Sequence, residues 1–199
     1  MLRVALTGGI ATGKSYVLDQ IRRRGIPCLD ADELAHGVTA AGTEATAAIA
    51  ARFGADVLAP DGSVDRARLG PLVFADTAAR HELEALVHPA VYRAIAAGLR
   101  AFERLGGAAF AVVDVPLLYE SGHEGAFDRV IATTCPPDVQ RDRLRMRGLS
   151  DEEARQRMAA QWPADRKAAR ATFVIHTDGP LADTDTQIEQ VLASLQTSA

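Results

Sequence analysis

The sequence predicts an α/β fold: a three-layer core built on a parallel, five-stranded sheet, with helical insertions. Three observations carry that expectation. Short apolar runs alternate with amphipathic helical segments along the chain. Two of the runs, residues 109–115 and 129–134, are nearly unbroken, the mark of central strands covered on both faces. A bare, glycine-rich stretch, TGGIATGKS at 7–15, follows directly on the first apolar run and opens a helical pattern.

Taken in order, residues 2–7 read as a buried strand. Residues 14–24 form a helix with Val17, Leu18 and Ile21 on one side. Arg22, Arg23 and Arg24 stand near its end, where cations suit the helix dipole, and Gly25 stops it. A second short strand over 26–29 leads into Asp30-Ala31-Asp32. The texture then changes. Residues 33–105 are Ala-rich and mostly helical in pattern, interrupted by the turn-like Pro60-Asp61-Gly62-Ser63. Inside them, 81–105 is a long amphipathic stretch in which Pro89 should kink the helix or begin a new one. So long a segment exceeds one crossover and reads as an inserted helical subdomain. After the strands at 109–115 and 129–134 come two short charged helices over 139–147 and 150–160, a smaller insertion. Ser150 with Glu153 gives the second a capping-box start. A strand over 172–175 and a helix over 181–195 close the fold.

The chain has 199 residues, enough for one good core carrying small subdomains. Its 48% apolar and 24% charged content is ordinary for a globular protein in water. A balance of 22 basic against 26 acidic residues argues against a nucleic-acid surface working by bulk charge. It leaves room for a local basic pocket that takes a phosphorylated small molecule. Cys28 and Cys135 have no metal-like spacing and read as reduced, half-buried thiols. The start lacks a signal-peptide pattern, and no stretch approaches the ~20 apolar residues of a membrane helix. The expectation is a cytoplasmic enzyme, with no nucleic-acid, membrane or obligate protein partner.

Gly8-Gly9-Ile10-Ala11-Thr12-Gly13-Lys14-Ser15 fits G-x-x-x-x-G-K-[ST]. Glycines let the backbone curl so that successive N–H groups converge on phosphate oxygens. The helix that follows offers free donors and partial positive charge to an anion. Lys14 reaches the β- and γ-phosphates of a nucleotide, and the Ser15 hydroxyl can ligate Mg²⁺. Asp30 and Asp32 end the next strand, where ligands collect in open α/β sheets. A carboxylate there either orients an attacking hydroxyl and takes its proton, or caps the following helix. Asp114 ends the 109–115 run, where it either holds Mg²⁺ through water or is a turn residue before Pro116. Gln140, Arg143 and Arg147 share a helix face at spacings of three and four. Arg143 and Arg147 suit a lid closing over phosphate, whereas Arg141 and Arg145 read as solvated. His88 within a helix and Trp162 before Pro163 read as structural, and the histidines show no ligand spacing.

The assembled motifs resemble one family, dephospho-coenzyme A kinase, over nearly the whole chain. They are LTGGIATGKS, DADELAH at 30–36, FGADVLAPDGSVDRARLGPLVFAD at 53–76, RHELEALVHPAV at 80–91, VPLLYESG at 115–122, QRDRLRMR at 140–147, then Gln161, Lys167 and FVIHTDG. The resemblance implies an ATP-dependent 3′-phosphorylation of dephospho-CoA, the last step of coenzyme A synthesis. It implies a P-loop kinase core at 1–32, 106–138 and 166–199, a helical CoA-binding insertion at 33–105 and a lid at 139–165. Carried over by position, Asp32 is the base on the ribose 3′-hydroxyl, and Lys14 with the loop amides from Gly8 to Ser15 holds ATP. Ser15 takes the Mg²⁺, and Arg143 with Arg147 approaches from the lid. Arg80, His88, Leu117 and Leu118 lie near the acceptor. Tyr16, Thr177 and Tyr119 stand where the family commonly has Thr, Asn and Phe. The other readings are a different small-molecule or nucleotide kinase on the same core, or a nucleotide-driven switch.

Overall fold

Strand β1 (Leu2–Gly8) takes the middle of the sheet because Val4, Ala5 and Leu6 have no exposed surface at all and need cover on both faces. A computed structural model describes residues 1–198. The chain forms two compact units, Met1–Leu29 with Ala101–Ala199, and Asp30–Arg100. The first holds the sheet. Helix α1 (Lys14–Arg23) follows β1 and returns the chain to β2 (Cys28–Asp30). Strands β3 (Phe110–Asp114), β4 (Arg129–Thr134) and β5 (Phe173–His176) complete a five-stranded parallel sheet in the order β2-β3-β1-β4-β5.

The register brings the carboxyl ends into line. Leu6 stands opposite Asp114, Gly8 opposite Thr133, and Thr134 opposite His176. One face of the sheet packs Val4, Leu6, Val112 and Ile131 against Val17 and Ile21 of α1 and against Ile188, Leu192 and Leu195 of a long terminal helix. At ~25 cal/mol per Å² of apolar surface, this single cluster is the main stabilising term of the unit.

The second unit is helical: α2 (Ala31–Val38), α3 (Glu44–Phe53), α4 (Arg66–Ala75) and most of α5 (Thr77–Leu105). Its own core is Ile49, Val57 and Leu69, with Leu83, Leu86 and Val87 packed against it. Thr43 and Asp65 cap α3 and α4 as acceptors for the first-turn amides. Pro89 does not begin a new helix, for α5 runs through it as one element. Proline removes a single hydrogen bond, and four packed residues, Ala79, Val91, Ile95 and Leu99, hold the helix on both sides of it.

Back in the first unit, α6 (Pro137–Met146) and α7 (Asp151–Ala159) are the two charged helices, and the Ser150/Glu153 capping box is formed. Helix α8 (Ala164–Ala168) packs on β1 and β4, and α9 (Leu181–Thr197) closes the apolar cluster. Both cysteines are free thiols, Cys28 partly exposed and Cys135 buried. Burial disfavours the charged thiolate and pushes Cys28 up to about 11. At pH 8 about one Cys28 in a thousand is then thiolate. Native protein should therefore react with Ellman's reagent at that site only after denaturant is added, and fast native labelling at Cys28 would contradict the packing.

Candidate active site

The glycine-rich loop leaves β1 at the centre of the sheet and enters α1 through Gly13, which has a left-handed φ of 79°. Ala11 is the one non-glycine residue with positive φ, at 61°, among the described residues. Alternating hands of this kind turn successive N–H groups toward one point, the geometry of an anion nest. No side chain of the loop fills the concave side. Thr12 points away: its hydroxyl bonds the Gly9 carbonyl at 2.8 Å and the Thr133 hydroxyl at 2.7 Å. Gly8 has no room for a side chain, since a Cβ there would lie 2.2 Å from the Thr133 hydroxyl and 2.6 Å from that of Thr12.

Lys14, the first residue of α1, donates to both carboxylate oxygens of Asp114, at 2.6 Å to Oδ1. Asp114 is 3% exposed, so the pair is shielded from water and strong. Asp114, the last residue of β3, is thus the ion-pair partner of Lys14. Ser15 is exposed at the same helix end. Its hydroxyl has no protein partner among the described residues.

The two arginines expected in a lid make different contacts. Arg143 is spent on the protein: it donates to the Ala11 carbonyl at 3.1 Å, to the Thr177 hydroxyl at 3.2 Å and to the Thr177 carbonyl. Thr177 in turn donates to the Thr12 carbonyl at 2.8 Å. Arg147 carries no such bonds among the described residues, and both arginines line a cleft of about 190 Å³ with Ala11, Gly13, Tyr16, Thr177, Leu181 and Thr184. Tyr16 is fixed there by a 2.8 Å bond to Asp185, which pushes the phenol pKa up. Gln140, expected on the basic face, is buried and donates to the Cys135 carbonyl. Arg145 is exposed and pairs with Asp142 and Asp151.

In the helical unit the two aspartates separate cleanly. Asp30 caps α2, accepting from the amides of Asp32 at 2.9 Å and Glu33 at 3.2 Å. The Asp32 carboxylate is exposed and has no protein partner among the described residues. His88 lines a cavity of about 290 Å³ whose walls are mostly apolar, including Ile49, Leu69, Val73, Leu83 and Val87. Arg80 stands two turns earlier on α5, ion-paired with Glu84 at 3.8 Å, outside that lining.

Leu117 and Leu118 belong to the run after β3 in the sheet unit. Leu118 is fully buried and Leu117 is 39% exposed, so only Leu117 presents surface. Glu120, which had no role of its own in the sequence analysis, organises this corner. Glu120 accepts from the Trp162 amide at 2.8 Å and from Lys167 at 2.8 Å. The Trp162 ring stacks on Tyr119 with centroids 5.9 Å apart, and the Arg166 guanidinium lies 3.5 Å over it. Lys167, one of several charges in ADRKAAR, is the largest fully buried side chain described. No periodicity in that segment signals its burial.

Comparison with known proteins matches residues 2–183 to the family model CoaE, dephospho-CoA kinase. A dephospho-CoA kinase of Anaeromyxobacter dehalogenans is 48% identical, covering 97% of this chain and 92% of that one. One from Geobacillus kaustophilus is 42% identical over 96% and 95%. Among solved structures, TT1252 from Thermus thermophilus superposes with a TM-score of 0.82 at 34% identity, covering 98% of this chain and 97% of that one. Dephospho-CoA kinase from Campylobacter jejuni gives 0.72 at 25% identity, covering 98% of each.

The crowding at Gly8 yields a sharp contrast. Gly8→Ala should destabilise the fold by about 1–3 kcal/mol and weaken ATP binding, because a methyl group must displace Thr133 or Thr12. Gly37→Ala, inside α2 with nothing within 4 Å, should instead stabilise it by about 0.5–1 kcal/mol. Urea unfolding reads both signs, and equal effects would refute the packing argument.

Proposed function

As the chain belongs to the dephospho-CoA kinase family, we propose the following division of labour among its residues. The reaction is the ATP-dependent phosphorylation of dephospho-CoA, the final step of coenzyme A synthesis. It moves a phosphoryl group from ATP to the ribose 3′-hydroxyl, and catalysis of such a transfer is mostly positioning and charge stabilisation. The loop from Gly8 to Ser15 binds the ATP phosphates through its amides. Lys14 leaves Asp114 for the β- and γ-phosphates as they arrive, exchanging one anion for another. Asp32, a carboxylate without a competing partner, accepts the proton of the attacking 3′-hydroxyl. Arg147 closes on the phosphates, and Arg143 supports it by holding Ala11 and Thr177 in place.

The nucleobase occupies the cleft between Tyr16, Arg147 and Leu181. The apolar cavity beside His88 takes the pantetheine arm of the acceptor, and Arg80 and Leu117 are each assigned to acceptor binding. This assigns residues 33–105 to acceptor binding, 139–165 to a lid and the rest to the nucleotide core. Mg²⁺ fits the donor set. Ser15 offers an unpartnered hydroxyl and Asp114 a buried carboxylate, both hard oxygen donors at the loop. When bound, the ion neutralises phosphate charge. No helix among the described residues is long and apolar enough to cross a membrane. The acidic composition argues against a nucleic-acid surface that works by bulk charge.

The observation that carries this reading is the bare loop with Lys14 at its helix end. ADP release from Mg-ATP should require dephospho-CoA and yield a product one phosphate heavier by mass. Release without acceptor would favour a nucleotide-driven switch. Lys14→Ala should weaken ATP binding as well as rate. Asp32→Asn should leave ATP binding within about twofold while kcat falls by two orders of magnitude or more. Unchanged turnover in Asp32→Asn would remove it from the role of base.

A further inference from the structure

Lysine is almost never fully buried unless every donor is met. Lys167 on α8 is 0% exposed, and its ammonium has an acceptor for each of three protons. They are the Pro116 carbonyl at 2.7 Å, Glu120 Oε1 at 2.8 Å and the Gly8 carbonyl at 3.4 Å. The acceptors come from separate stretches of chain. Gly8 is the root of the phosphate loop. Pro116 and Glu120 flank Leu117 in the run after β3. Glu120 Oε1 also holds the Trp162 amide, at the end of the segment that carries α6 and α7. The Pro116 carbonyl further accepts from the Thr7 hydroxyl at 3.2 Å. One buried cation therefore ties together the loop root, the run after β3 and the chain leaving α7.

Stability alone gives no reason for such a charge. A buried ion pair is commonly no better than apolar residues of the same volume. Burial holds the Lys167 pKa below its ordinary value, the Glu120 carboxylate opposes that shift, and the nearby Lys14 charge adds to it. What the ammonium does that a leucine cannot is direct carbonyls. Because the peptide unit is planar, fixing the Gly8 oxygen fixes the Gly8–Gly9 plane, from which the loop departs. Thr133 and Thr12 confine Gly8 on one side, and Ala164 of α8 would lie 3.1 Å from a Cβ on Gly9.

The geometry points to Lys167 as a positioning residue for phosphoryl transfer, one that touches no substrate and sets the phosphate loop in register with the Pro116–Glu120 turn. It rests on the kinase reading above. A shift of about 1 Å in reacting groups costs up to two orders of magnitude in rate, so the effect falls on kcat.

Lys167→Met alone strands the Glu120 carboxylate, whose Oε2 is already buried without a partner. The decisive protein is therefore the double variant Lys167→Met/Glu120→Gln, with Lys167→Leu/Glu120→Leu as a second in case the first folds poorly. Each is measured for thermal unfolding, and for kcat and both KM values normalised to the folded fraction. The expected result is an unfolding midpoint recovered relative to Lys167→Met, with kcat still down tenfold or more, on the order of a loop misplacement, and KM for ATP little changed. Recovery of kcat together with the midpoint overturns the proposal and leaves Lys167 a purely structural group. A loss confined to KM for ATP also overturns it, since that reports binding rather than alignment. Wild-type enzyme in the same assay fixes the reaction itself. Absence of acceptor-dependent transfer there would fault the kinase reading, not Lys167.

Discussion

A loop that wraps its backbone around an anion can carry nothing bulky on its inner side, so whatever holds it must act from behind. That constraint organises the sheet unit. Behind Gly8 stand Thr133 and the Lys167 ammonium. Behind Thr12 stands Thr133 again, through paired hydroxyls. The Ala11 carbonyl is gripped by Arg143, and Ile10 and Ala11 pack on Leu144, Met158 and Ala154. Each of these restraints uses a backbone carbonyl or an outward side chain, so none of them occupies a loop amide. An unstrained loop would need none of them, but it would also lose the left-handed turns at Ala11 and Gly13 that make the amides converge.

The same economy explains why Lys14 rests on Asp114. An ammonium at the mouth of an anion site with no counter-charge would pull toward any carboxylate in reach. A buried aspartate at the end of the adjacent strand gives it one defined partner. On the proposed reading phosphate competes with a fixed carboxylate for Lys14, and the buried Asp114 left behind needs a new counter-charge, which the proposed Mg²⁺ would supply. The ion pair and the nest are two halves of one electrostatic device, set by the register of β1 and β3.

Much of this was legible in the sequence because it depends on short-range order. The strand, the glycine spacing and the helix after it name the loop, and Ser150 with Glu153 announces its own capping box. The pair Asp30 and Asp32 was legible as two roles but not as an assignment. Which one caps depends on the residue at which the helix starts, and α2 starts at Ala31. Arg143 was found for its position, but spacing does not say that Ala11 and Thr177 accept from its donors. That Pro89 begins no new helix was not legible, because propensity is local while the packing that carries α5 through it is not. Lys167 was invisible as a buried group for the same reason. In ADRKAAR it is one charge among several, and only the approach of Gly8, Pro116 and Glu120, far away in sequence, makes an interior of its surroundings.

The stack of Trp162 on Tyr119 has an optical consequence. Trp162 is the only tryptophan in the chain, and it sits where the segment carrying α6 and α7 rejoins the sheet. An indole held between a phenol ring and a guanidinium, its own amide tied to Glu120, emits from one defined dielectric setting. Excited selectively, the whole protein's emission colour and lifetime become a readout of that junction alone. The enzyme thus carries its own single-site fluorophore at the seam beside the phosphate loop, with no label required.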